Sequence, residues 1–191
     1  IAHWPEGRNT IEKLQRDLNA IGNGFDLDIS RVLLGILSLA GLTIRLKIES
    51  FRPSAVDQIR NEFPRVAACL VRSAELLDRW GFSGSNATNP NALIALALLL
   101  DRGIDARASD EDLRQFVVRS LLCELYRRPE TTLLHVREYA AKHLNQSEVF
   151  SMSHMEEHFL LPSGRSLHVG GDLLEELLMV PIHDRRCYVL L

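Results

Sequence analysis

Cysteine is scarce in this chain: Cys69, Cys123 and Cys187 are the only three in 191 residues. They stand far apart, odd in number and without a C-x-x-C pair, a pattern that fits a reducing cytoplasm. Lysine is also rare, since Lys13, Lys47 and Lys142 are the only ones and arginine takes the other cationic positions. Phosphate recognition would favour that bias, but codon usage in a GC-rich genome is the simpler cause. Long apolar runs are missing too. The longest, ALIALALLL at Ala92–Leu100, falls well short of the about 20 residues that cross a bilayer. No signal peptide is visible, so no membrane partner is expected. The phosphate-loop pattern G-x-x-x-x-G-K-[ST] does not occur, and GNG at Gly22–Gly24 has neither its lysine nor its spacing. Nor does a G-x-S-x-G nucleophile turn occur. Catalysis within these residues is therefore unsupported, and no cofactor is expected.

What is present suits a folded globular protein: 46% hydrophobic and 25% charged residues, enough chain for one sizeable core or two small ones. The net charge of −3 excludes a global positive field for nucleic acid, so any DNA contact must be a local patch. Ile1 is not a methionine and Leu191 closes the apolar run CYVLL. The sequence reads as a piece of a longer protein.

Helix punctuation recurs along the whole chain. Thr10 can cap a helix through IEKLQRDLNAI that stops at Gly22 and Gly24, and Asp28 one through ISRVLLGILSLA that stops at Gly41. From Leu42 to Glu49 the period changes to alternation, with Ile44, Leu46 and Ile48 on one side. No second alternating run exists to pair with it, so an extended connector is predicted. Ser54 with Asp57 opens the next helix, Pro64 must kink or restart it, and Gly81 ends it. FSGSNATN is loop, after which Asn89 and Pro90 begin a helix that is apolar on all sides and so central. Ser109 and Asp112 start a helix predicted through Tyr126, with Leu113, Phe116, Val117, Leu121 and Leu125 inward; Pro129 starts another reaching Leu144. Shorter helices are predicted near His154–Leu161, from Asp172 to Met179, and from Asp184. No repeat or low-complexity tract is visible. The fold class is all-α, an irregular array of roughly seven to nine helices with one extended connector. Its expected parts are residues 1–52 as a helical pair with the connector, 53–145 as a central core, and 146–191 as a helical run-in to a further domain.

Two constellations carry possible chemistry. HMEEH at His154–His158 matches the H-x-x-E-H pattern of one class of zinc peptidases. On a helix its histidines rise about 6 Å apart, with Glu157 on a neighbouring face as a base. A third ligand would have to come from His168, Asp172, Glu175, Glu176 or His183, none at a characteristic spacing. The bland reading is a capping box of Ser153 with Glu156 above an apolar stripe of Met152, Met155 and Phe159, and it is preferred. His135, Tyr139 and His143 share a helix face, but eight residues put the two imidazoles about 12 Å apart, too far for one metal; a solvated face is expected. Arg65, Arg72 and Arg79 recur every seven residues and could contact phosphate, although Glu75 offers i,i+3 and i,i+4 pairs. Arg127–Arg128 and Arg185–Arg186 are short basic pairs of the same ambiguous kind.

The stretch GFSGSNATNPNALIALALLLDRG, followed by DEDLRQFVVRSLLCELYRR, resembles the helical middle of the GmrSD-type family of bacterial modification-dependent restriction proteins. In that family a "gf … n-a-l-i-p-l" helix after an asparagine-rich loop precedes an "l-r-r-w-l-l … y" helix. Upstream, DLDISRVLLGILSLAGL looks like the segment before the family's kinked helix. Downstream, VPIHDRRCYVLL looks like the run-in to its nuclease domain. The resemblance implies a parent protein with a ParB/sulfiredoxin-like nucleotide-hydrolysing domain bearing an Asp-Gly-Gln-Gln-Arg signature, and a His-Asn-His (HNH) endonuclease domain. Such proteins cut phage DNA according to its chemical modification. Neither signature occurs in this chain, so no catalytic residue carries over. Its implied role is a non-catalytic scaffold joining the two domains, with other domains of the parent, modified double-stranded DNA and a second copy of itself as partners. Arg65, Arg72, Arg79, Arg127 and Arg128 are the candidate DNA contacts. The competing expectations are a metal-dependent hydrolase built on His154 and His158, and a helical interaction module unrelated to restriction.

Overall fold

A computed structural model describes residues 4–44, 46–82, 89–104, 108–144 and 150–172. The chain is all-α. Seven α-helices follow one another among the described residues: α1 (Gly7–Asn19), α2 (Ile29–Leu39), α3 (Pro53–Arg79), α4 (Pro90–Leu100), α5 (Asp110–Leu122), α6 (Pro129–His143) and α7 (Met152–His158). Short 3-10 turns lie at Ile48–Phe51 and Leu125–Arg127. The β-pairing among the described residues is one isolated antiparallel bridge, Leu160 with Ser166.

Helix α4 is the axis of the packing because it has no polar face. Every residue from Asn91 to Leu100 is buried, and α2, α3, α5 and α6 all pack on it. Its one buried amide is satisfied from both sides. Asn91 Oδ1 accepts from Arg31 Nη1 of α2 at 3.3 Å, and Asn91 Nδ2 donates to Asn89 Oδ1 at 2.6 Å. Ser73 Oγ of α3 donates to Leu93 O at 2.7 Å, tying the longest helix to the central one. On α2, a Cβ at Gly35 would stand 3.1 Å from Leu70 Cδ2 and 3.5 Å from Ile94 Cγ1. That glycine lets α2 lie close against α3 and α4. One hydrophobic cluster runs from Trp4 to Leu167, so all three expected segments contribute to the same core.

Capping chemistry sets the start of three helices as expected. Asp28 accepts from Arg31 N at 2.7 Å, Asn89 from Asn91 N at 3.0 Å, and Ser109 Oγ from Asp112 N at 3.0 Å. After α2 and α3 the chain turns through left-handed Gly41 (φ +73°) and Gly81 (φ +83°). There Leu42 N donates to Leu37 O and Phe82 N to Leu77 O, closing orphan carbonyls in the six-to-one pattern.

Several boundaries differ from the sequence reading. Helix α1 begins at Gly7, a full turn before the expected cap. Thr10 lies inside it and donates its hydroxyl to Glu6 O at 2.8 Å. Helix α3 opens on Pro53, and neither Ser54 nor Asp57 caps it. It continues through Pro64 to Arg79 without ending. Pro64 and Arg60 are both exposed, so water can take the carbonyl bond that the missing N–H leaves open. Helix α5 stops at Leu122, short of Tyr126, because Glu124 turns left-handed (φ +51°). Arg165 Nη1 stabilises that break by bonding Glu124 O at 2.8 Å and its carboxylate at 3.3 Å. In the connector Ile44 is buried, but Leu46 is 43% exposed and the alternation gives way to the 3-10 turn. With no partner strand, period-2 patterning has nothing to register against. The helices expected after Asp172 and from Asp184, and most of the FSGSNATN loop, lie outside the described residues.

Candidate functional site

Two consecutive helices each carry a pair of aromatic donors one turn apart. On α6 these are Tyr139 and His143, and on α7 they are His154 and His158. Helix α7 is held down by its apolar stripe, since Met152, Met155 and Phe159 are all buried. That stripe lays the polar pair of α7 across the polar pair of α6. His143 lies 5.3 Å from His154 and 5.5 Å from His158 between ring centres, and His154 stacks on His158 at 4.2 Å with 16° between planes. Tyr139 stacks on His143 at 4.9 Å. Its hydroxyl lies 2.8 Å from His154 Nδ1, and His158 Nδ1 lies 3.0 Å from His154 O. The side of α6 expected to be solvated is thus covered: Tyr139 is buried and His143 half-buried.

His135, the other histidine of that expected face, bonds Thr131 O through Nδ1 at 2.9 Å, within its own helix. Glu157 is exposed and stands 4.0 Å from His158 Nδ1. His168 is engaged elsewhere, by Glu156 at 2.7 Å, while Asp172 is exposed. Glu175, Glu176 and His183 lie outside the described residues.

The capping box offered as the bland explanation of HMEEH does not form. Ser151 occupies the cap of α7 without a side-chain bond, and Ser153 lies inside the helix. Glu156 instead bridges His168 to Arg119 Nη1 of α5 at 2.5 Å. The His168 hydrogen bond first, and the charge of Arg119 next, hold the Glu156 carboxyl below the usual range against a partial desolvation cost. This carboxylate ties α5, α7 and the segment after α7 together. Nearby, burial pushes the Cys123 thiol up, which makes it a poor nucleophile.

The arginine stripe of α3 is drawn into ion pairs. Arg65 bonds Glu62 at 2.8 Å, Leu39 O at 3.0 Å, and Asp101 at the end of α4. Arg79 pairs with Asp110 at the start of α5 at 2.5 Å, and Arg72 with Glu75 at 3.7 Å. Arg127 pairs with Glu124, and Arg128 is exposed. Arg185 and Arg186 lie outside the described residues.

Sequence reasoning missed the placement of His143: set against His135 along its own helix it looks isolated, whereas its neighbours His154 and His158 come from the next helix. The available signal was two i,i+4 pairs on successive helices, which pack antiparallel when the connection is short. No helix among the described residues is long and apolar enough to cross a membrane. Neither a family model nor a curated protein matches the chain.

Proposed function

We propose that this chain is a non-catalytic helical scaffold of a modification-dependent DNA restriction protein, joining a nucleotide-hydrolysing domain to an HNH nuclease domain. The resemblance of Gly81–Tyr126 to the helical middle of the GmrSD-type family is the observation that carries it. A scaffold role is supported by what the charged side chains do. Arg65 to Asp101, Arg79 to Asp110, and Arg119 to Glu156 each link helices distant in sequence. Arg137 of α6 reaches back to Leu42 O at 2.8 Å and Ser38 O at 3.4 Å. These contacts tie the helices into one body, as a segment joining two domains would need.

On this reading DNA contact falls to Arg72, Arg127 and the exposed Arg128, whose partners are at most local i,i+3 carboxylates. Arg65 and Arg79 would have to leave interhelical pairs first. The test is the reading frame on both sides of Ile1 and Leu191. An Asp-Gly-Gln-Gln-Arg signature upstream and a His-Asn-His pattern downstream are expected. Finding neither, or finding that the isolated chain cleaves DNA or hydrolyses nucleotide at enzyme-like rates, overturns the proposal.

A further inference from the structure

We propose that His143, His154 and His158 form a binding site for one divalent transition-metal ion of the imidazole-preferring kind, such as zinc, that clasps α7 onto α6. This inference does not depend on the restriction reading. It starts from distance. With zinc–nitrogen bonds of about 2.0–2.1 Å and tetrahedral angles, two imidazoles on one ion place their ring centres about 5 Å apart. His143 meets that spacing with both partners, at 5.3 and 5.5 Å. The third pair, His154 with His158, is stacked at 4.2 Å and nearly parallel. As they stand, no three His, Cys, Asp or Glu side chains among the described residues make a finished ligand set. The departure is local. His154 and His158 must move their ring centres apart by about 1 Å and turn out of their parallel stack to reach the tetrahedral spacing; both side chains are exposed, and each can pivot about the bond its Nδ1 makes, to the Tyr139 hydroxyl and to His154 O.

Hydrogen bonding points the same way. A carbonyl oxygen only accepts, so His158 Nδ1, 3.0 Å from His154 O, carries the hydrogen and Nε2 carries the lone pair. A ring nitrogen bonded to a backbone carbonyl, with the other left basic, is the usual support of a metal-ligating histidine. His154 Nδ1 faces the Tyr139 hydroxyl at 2.8 Å, which can accept from it and so leave His154 Nε2 basic as well. Tyr139 stacks on His143 too, so one buried phenol orients two of the three ligands. Two ligands one helical turn apart plus a third from a neighbouring element is a common zinc arrangement, and the fourth position is left to water.

The experiment uses the full chain, freed of metal by chelator and titrated with zinc chloride by calorimetry and with cobalt chloride by visible absorption. One equivalent of zinc, a cobalt spectrum of tetrahedral intensity, and a melting temperature that rises with zinc are expected. His143→Gln, His154→Gln and His158→Gln should each abolish the zinc-dependent rise, and Tyr139→Phe should weaken binding by about 10–100-fold. His135→Gln, two helix turns from His143, should bind like the wild type. Circular dichroism of each variant confirms that loss of binding is not loss of fold. Absence of stoichiometric zinc binding overturns the proposal. So does a His143→Gln variant that binds as tightly as the wild type, because the pair on α7 alone would then account for the metal.

Discussion

Leu96 sits in the middle of α4 with no exposed surface, enclosed by the helices that pack around that axis. Replacing it by alanine removes three carbons from a site with no solvent to fill the space. The lost transfer energy and the residual cavity together cost about 3–5 kcal/mol for a fully buried leucine. A domain of this size has a total stability of about 5–15 kcal/mol, so the variant should lose about a fifth of it or more. For a chain of this length each kcal/mol moves the melting temperature by about 2–4 °C, which predicts a fall of about 6–20 °C. Urea denaturation followed by circular dichroism measures it directly, with the midpoint falling and the slope unchanged. Leu160→Ala is the matched control, since Leu160 is 64% exposed, and it should change stability by less than about 0.5 kcal/mol. If Leu96→Ala costs no more than Leu160→Ala, α4 is not the buried axis and the packing described here is wrong.

Two further outcomes follow from particular contacts. Gly35→Val should destabilise by about 1–3 kcal/mol, because even a Cβ there lies 3.1 Å from Leu70 and a branched side chain must separate α2 from α3; a variant as stable as the wild type in urea would refute the close approach. Glu156→Gln should cost about 1 kcal/mol at neutral pH through its bonds to His168 and Arg119. The Glu156 carboxyl is held below its ordinary range when folded, so its contribution is present above the unfolded value of about 4.3 and fades as pH falls through the folded one. The stability gap between wild type and variant should therefore close as pH falls below about 5. A gap that stays the same down to pH 3 would sink the linkage.

Much of the fold is legible in the sequence because helix ends are local chemistry. Asp28, Asn89 and Ser109 cap helices by bonding an amide two or three residues on, and Gly41 and Gly81 take the left-handed turn that no other residue adopts as cheaply. The central place of α4 follows from its having no polar face. The errors share a cause. Thr10 and Ser153 have capping side chains but lie inside helices, because the start of α1 and α7 is set by what the flanking residues bury. Helix α5 ends early because Arg165, more than forty positions away, holds Glu124 in a left-handed turn. No local pattern contains that arginine.

The histidine cluster shows the same limit at the level of a site. Along α6 alone, His135 and His143 are two turns apart and cannot share an ion. Along α7 alone, His154 and His158 are one turn apart but have no third partner. Neither helix judged by itself supplies three ligands. The cluster arises only when the apolar stripe of Met152, Met155 and Phe159 sets the rotation of α7 against α6. Rotating α7 by one residue, about 100°, would bury a different stripe and carry both histidines away from His143. The same three buried residues therefore fix the packing and the cluster together. A polar substitution at Met155, which is fully buried, should accordingly dissolve the His143 contacts along with the docking of α7, without touching any imidazole.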